Sequence, residues 1–288
     1  MPAKSQTVRN LQGAAVKRQT SATSWLLAGL VVVAALVAAV WVWRQVSRPA
    51  VVPAPAASAT APAIRHPIDQ AERGPASASS APLPALAVSD NQVVDALVGL
   101  AGRGDLRSLL LTNQIIARIV ATVDALPRES VGARVLPLRP PAGAFQTEQM
   151  DGHTVIGAGN AARYAPYMRI LESMDTGALV AWYVRSYPLF QQAYQELGYP
   201  QGYFNDRLIV AIDDMLAAPS PDQPIALVRP KVFYRYADPG LQSLSAGQKL
   251  LIRVGPDNAA RIKARLRAIR AALTGAQLPA APAPAVSG

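Results

Sequence analysis

Residues 25–43 read WLLAGLVVVAALVAAVWVW, nineteen consecutive positions with no charge and no strongly polar group. At about 1.5 Å per residue, a helix of that length crosses a hydrocarbon core of roughly 30 Å. Trp25 stands at one end, and Trp41 and Trp43 at the other, where interfacial aromatic belts form. The run is longer than a secretory h-region of about 7–15 residues, and it ends in bulky side chains ahead of Arg44 rather than at a small-x-small site. The expectation is an uncleaved signal anchor. Lys4, Arg9, Lys17 and Arg18 precede it without an acid, while only Arg44 and Arg48 follow closely. That imbalance keeps the N-terminus inside. In a bacterium the chain would be a single-pass inner-membrane protein, with residues 1–24 as a cytoplasmic basic tail and the body in the periplasm.

Beyond the anchor, residues 44–87 are rich in Ala, Pro and Ser. Such a segment cannot bury enough apolar surface to offset the entropy of ordering. It is expected as a disordered linker, as is the tail at 276–288 (AQLPAAPAPAVSG). The remaining 88–275 is long enough to bury its own core. The formal charge is +10, but residues 1–87 supply +6 of it, eight basic against two acidic side chains. The ordered region is therefore only mildly basic, which speaks against nucleic-acid binding.

Within 88–275 the spacing predicts helices. Ser89-Asp-Asn-Gln92 has the form of a capping box ahead of VVDALVGL, with Gly102 as a stop. A second helix spans 112–126 with Ile115, Ile116, Ile119, Val120 and Val123 at helical spacing. Residues 128–158 read as a long loop with room for a short strand. Asn160 is placed as the cap of a helix to Met174, and Asp175 as the cap of the next. On that next helix Tyr183, Tyr187, Phe190, Tyr194 and Leu197 share one face. Pro188 interrupts it, so a kink or two abutting helices is expected. A further helix spans 204–216. IALVR (225–229) and KVFYRY (231–236) suggest a short hairpin around Pro230. Ser245-Ala-Gly-Gln248 is a second capping box, and Pro256 opens a last helix to Leu273, with Gly275 behind it. The fold expected is mainly α, an irregular helical bundle with a short β hairpin, preceded by one transmembrane helix.

Three strings, ARYAPYMRIL, WYVRSYPLFQQAYQELGYP and VFYRYADPGLQSLSAGQKLLIRVGPDN, resemble the proteobacterial family catalogued as domain of unknown function 3014. The likeness extends over roughly 88–274. It implies the layout of anchor, linker and one C-terminal domain; it implies no activity and no catalytic residues.

The chemistry-bearing residues are sparse. There is no cysteine, which excludes disulfides, thiolate nucleophiles and Cys-based metal sites. His66 and His153 are the two histidines, too few for a zinc site or a convincing Ser-His pair. No phosphate loop or dinucleotide fingerprint occurs. No catalytic residue, metal ligand or cofactor is expected. The adjacent Asp213 and Asp214 are the carboxylates on which an alternative reading, a peptidoglycan-modifying enzyme, would depend.

Binding candidates come from two features. YPLFQQAYQELGYPQGYF (187–204) holds six of the thirteen Tyr and Phe residues, and its second half leaves the helical face. Tyr199 and Tyr203, with Tyr234 and Tyr236, are the expected groove tyrosines. The last helix carries Arg261, Lys263, Arg265, Arg267 and Arg270 around its apolar stripe; the first expectation is a core-facing helix whose basic stems lie around that stripe, and the alternative is a set that meets an anionic surface. The functional expectation is a membrane-anchored binding or scaffold protein of the cell envelope. Its partners would be membrane lipid through 25–43 and an envelope protein or peptidoglycan.

Overall fold

The computed structural model describes residues 63–71, 82–102, 105–222 and 224–275. The expected basic tail at 1–24, the anchor at 25–43, most of the linker and the tail at 276–288 lie outside the described residues. Among those described, no helix is long and apolar enough to cross a membrane.

The described chain is mainly helical. The helices are α1 (Asp90–Ala101), α2 (Leu106–Leu109), α3 (Ile115–Ala125), α4 (Ala165–Ser173), α5 (Thr176–Glu196), α6 (Phe204–Leu216), α7 (Pro239–Ser243), α8 (Ala246–Arg253) and α9 (Pro256–Thr274). The main core forms where α5 meets α3, α6 and α9. Ile115, Ile116 and Val120 of α3 close on Phe190 and Tyr194 of α5 and on Phe204 and Ile209 of α6. Removing these large side chains from water is the principal source of stability.

Pro188 lies inside α5, yet the helix runs unbroken from Thr176 to Glu196. Proline has no N–H for the carbonyl four residues back. That single loss is outweighed because Tyr183, Tyr187, Phe190 and Tyr194, on both sides of it, are all buried. Of the two expected outcomes, a kink or two abutting helices, the second does not occur. Leu197 departs from the predicted face and is 43% exposed, because α5 ends at Glu196 and the chain turns away at Gly198.

The capping boxes have different outcomes. At Ser245 both hydrogen bonds of the box are made, with Gln248 answering from the third position. At Ser89 no side-chain cap forms, because the residue has helical dihedrals and its hydroxyl donates to the Leu86 carbonyl at 2.8 Å. The adjacent Asp90 caps a different helix, accepting from the N–H groups of Gln114 (2.7 Å) and Ile115 (2.9 Å) at the start of α3. Asn160 is not a cap either. It sits in a 3-10 turn, Ala158–Tyr164, and is buried, donating to the Arg253 carbonyl at 3.0 Å and accepting from Arg163 at 2.9 Å.

A small antiparallel sheet of order β1-β2-β3-β4 covers one side: β1 (Thr147–Met150), β2 (His153–Ile156), β3 (Ala226–Val228) and β4 (Arg235–Tyr236). The expected hairpin at 225–236 is present as β3 and β4, with Leu227 opposite Tyr236. The other pair comes from the segment read as a long loop. Asp151 and Gly152 both have positive φ, 50° and 77°, which is the two-residue turn that suits the twist of a hairpin. Ile225, Leu227, Tyr236 and Ile252 form the core beneath the sheet.

Residues 63–71, read as linker, have a defined place in the domain. They carry a 3-10 turn at Ile68–Gln70, and Ala71 belongs to the main core.

Candidate functional site

On α9 the five cations do unequal work. Arg270 pairs with Asp213 of α6 through two contacts, one of them 3.1 Å from Nη2 to Oδ2. Arg261 pairs with Glu172 at 3.0 Å. Arg265 donates to the Leu171 carbonyl at 3.0 Å and to the Thr176 hydroxyl, and Lys263 donates to the Ala218 carbonyl. Arg267 is exposed, with no hydrogen bond or ion pair among the described residues. Four of the five thus tie α9 to α4, α5 and α6 instead of projecting a common charge outwards. Cations that satisfy neighbouring carbonyls in this way hold helices together.

The four tyrosines are dispersed. Tyr236 is 4% exposed and donates to the Lys249 carbonyl at 3.1 Å, so the expected open position for it is replaced by one in the core. Tyr199 and Tyr203 are half-buried. Tyr199 stacks on Tyr194 with ring centroids 4.6 Å apart. Its hydroxyl accepts from Arg128 at 2.7 Å and donates to Asp124 at 3.3 Å. Tyr203 lies against Tyr187, and its hydroxyl accepts from the Ile68 N–H at 2.8 Å. Tyr234 is half-buried beside Phe145, centroids 6.0 Å apart, with the Arg229 guanidinium 5.2 Å from its ring.

Asp124 was not singled out by its sequence neighbours, yet it organises one end of the bundle. It is a buried carboxylate on α3. Arg207 Nε contacts Oδ1 at 2.9 Å, Arg128 holds Oδ2, and Arg207 also donates to the Asp124 carbonyl. Two guanidiniums and a phenol fill the lone pairs of one carboxylate, which is what a buried charge requires. Asn205 and Asp206 form a second unforeseen cluster with Tyr203, facing residues 65–68.

The sheet ends in an apolar loop. Between β3 and β4, Phe233 is 81% exposed and Val232 69% exposed. Arg229 Nε donates to the Val232 carbonyl at 3.2 Å and steadies the tip. Arg229, Lys231 and Arg235 flank these residues in the chain, and no acid interrupts the stretch from Val228 to Tyr236. The register places Met150, His153, Val228 and Arg235 in one row at this end of the sheet; Met150 and Val228 are exposed as well.

An open cleft of about 390 Å³ lies between β1–β2 and the α8–α9 junction, lined by Glu148, Val155, Asn160, Pro224, Arg253 and Pro256. Glu148 Oε1 there accepts from the Ala158 N–H at 2.8 Å. Asp214 accepts from the Ser245 hydroxyl at 2.6 Å, so both members of the Asp213–Asp214 pair are bound to structural partners. Among the described residues no three His, Asp or Glu side chains converge as metal ligands.

No characterised protein and no solved structure matches the chain. A family described as proteins of unknown function, DUF3014, matches residues 115–270, from the first residue of α3 into the last turns of α9. The matched span takes in both the Asp124 cluster and the exposed loop at the sheet end, and with more than half of the chain inside it, this protein belongs to the DUF3014 family.

Proposed function

We propose that the chain is an inner-membrane-anchored, periplasmic binding or scaffold protein of the cell envelope that works without catalysis. The layout rests on the apolar run at 25–43 and the charges flanking it. The observation that carries the binding role is the loop at 229–234. A domain that leaves Phe233 and Val232 in water, in a stretch that also carries Arg229, Lys231 and Arg235, has the apolar and basic character of an interaction surface. Its complement is an acidic partner with an apolar contact, an envelope protein in first place and peptidoglycan in second. Tyr234, beneath the tip, is the part of the sequence-derived tyrosine set that supports this surface. The rival reading, a carboxylate-dependent peptidoglycan-modifying enzyme, would need Asp213 or Asp214 to leave its present partner.

In-cell photocrosslinking from position 233 tests the binding role. A discrete adduct that disappears on Lys231→Glu is expected; no adduct from 233 alongside adducts from α9 positions would sink this surface. Sedimentation of the chain with purified sacculi separates the wall from a protein partner. Muropeptide release that is lost on Asp213→Asn or Asp214→Asn would establish the rival reading. A C-terminal reporter fusion that is silent in the periplasm would overturn the topology.

A further inference from the structure

Residues 65–71 are held by an arrangement that reads the main chain. Asp206 accepts two successive N–H groups, Arg65 N at Oδ2 (3.0 Å) and His66 N at Oδ1 (2.7 Å). Asn205, fully buried, donates Nδ2 to the His66 carbonyl at 2.8 Å. Tyr203 takes the Ile68 N–H. The residue skipped between those donors is Pro67, which has no N–H to satisfy. Ile68 packs on the main core and Ala71 is buried in it. The carbonyl of Gln70 lies 2.8 Å from where a Cβ on Gly275 would stand, so this glycine, at φ 65°, leaves room for the segment to close over the end of α9. The Arg65, Asp69 and Gln70 side chains face solvent.

Asp206 is in the first turn of α6, where a carboxylate commonly serves its own helix. Here the helix is served from α5 instead, with Gln191 accepting the Phe204 N–H at 2.9 Å. Asp206 is thereby left to the incoming segment. Affinity from main-chain hydrogen bonds and selectivity from a few side-chain positions is the logic of peptide recognition.

We propose that Tyr203, Asn205 and Asp206 form a peptide-binding site, that residues 65–71 occupy it in cis, and that its ligand is a short peptide with two consecutive free N–H groups ahead of a proline and an apolar residue after it. Four hydrogen bonds together with the apolar contacts of Ile68 and Ala71, set against the ordering of a seven-residue segment, leave its docking close to balance, so the site opens without unfolding the domain. A tethered occupant acts at an effective concentration on the order of millimolar, which a competing peptide must overcome. The proposal stands apart from the exposed loop at 229–234 and from the identity of any envelope partner.

The probe is a fluorescent peptide AIRHPIDQA, residues 63–71, added to the full chain in detergent and followed by anisotropy. In the double variant Ile68→Asp, Ala71→Asp the chain's own segment is expelled. The peptide is expected to bind that variant at least about ten-fold more tightly than the wild-type chain. N-methylation of the peptide at His66 or Ile68 removes one donor each and should abolish binding, whereas an Asp69→Ala peptide should bind unchanged. Equal affinity for both chains, an N-methylated peptide that still binds, or no binding to a variant that melts like the wild type overturns the proposal. Should the variant fail to fold, amide exchange in the wild-type chain decides. Protection at Arg65, His66 and Ile68 that is lost well before that of α5 supports an opening site; loss together with α5 overturns it.

Discussion

Asp124 shows how a single residue constrains the bundle. It occupies the position four beyond Val120 and eight beyond Ile116, on the buried stripe of α3. A charge at that spacing must find cations, and Arg207 and Arg128 supply them from α6 and from the chain just past α3. Removing Asp124 leaves the partly buried Arg207 uncompensated, while the more exposed Arg128 returns to water, so the cost lies at the lower end of the roughly 3–5 kcal/mol of a broken buried pair, about 3 kcal/mol. Asp124→Ala is therefore expected to lower the free energy of unfolding in urea by that amount. Tyr199→Phe keeps the stacking on Tyr194 and loses only the hydroxyl's two hydrogen bonds, so about 1 kcal/mol is expected. Tyr194→Ala removes a buried ring and should cost about 3–5 kcal/mol. Near-equal losses for Tyr199→Phe and Asp124→Ala would mean that the phenol, not the ion pairs, carries the cluster. The apolar stripe through Ile116 and Val120 was legible in the sequence; that Asp124 continues it as a buried acid was not, because its partners lie elsewhere in the chain, more than eighty residues away in the case of Arg207.

At the scale of elements, the cap that crosses from α1 to α3 gives a test. Asp90→Ala should cost about 1–2 kcal/mol, in line with lost caps elsewhere. It should also speed amide exchange at Gln114 and Ile115 while leaving the first turn of α1 unaffected; faster exchange confined to α1 would refute the crossing. Helices with a continuous apolar stripe and unambiguous ends were legible. The α6 span agrees with Phe204–Leu216 as read, and α9 opens at Pro256 with Gly275 as its stop. The Ser89 box was misread because Ser and Asp stand side by side, and local pattern cannot say which helix a carboxylate faces. The β1–β2 hairpin was missed because TEQM and HTVI lack the alternation of a half-buried strand, although Asp151-Gly152 is a strong turn signal. That turn predicts a loss of at least about 1 kcal/mol for Gly152→Ala, which forces a Cβ into positive φ. The docking of residues 65–71 left no mark in the sequence, since it is made by main-chain donors in a Pro- and Ala-rich stretch. Of the candidate site, Tyr234 and the cations of the last helix could be named in advance. That four of those cations are taken up by partners on neighbouring elements depends on tertiary neighbours that periodicity does not give.

The molecule as a whole should respond to alkaline pH, because its tyrosines are unevenly solvated. Burial raises the pKa of Tyr164, Tyr167, Tyr183, Tyr187, Tyr194 and Tyr236 above the ordinary value, most strongly for Tyr183 and Tyr187. A neighbour adds to this at Tyr187 through the hydrogen bond with Tyr203, and at Tyr194 through the Asp124 charge. The native state therefore keeps protons that the unfolded chain releases near pH 10. Groups raised in the folded state contribute stability that is fully present below the unfolded value and lost as pH climbs past it. Lys249 has the opposite sign. Its pKa is lowered, chiefly by burial, so it penalises the folded state at neutral pH, and the penalty lifts as pH approaches the ordinary lysine value of about 10.4. One lysine is set against six tyrosines, and the tyrosines should prevail. Urea midpoints are expected to stay level to about pH 9.5 and to fall steeply above about pH 10. Most of the tyrosinate absorbance, that of the six buried tyrosines, should rise together with the loss of helical circular dichroism. Ionisation of most tyrosines near pH 10 in a chain that remains folded would show that water reaches the rings of α5, and the packing of that helix across Pro188 would then have to be looser than four buried aromatic side chains allow.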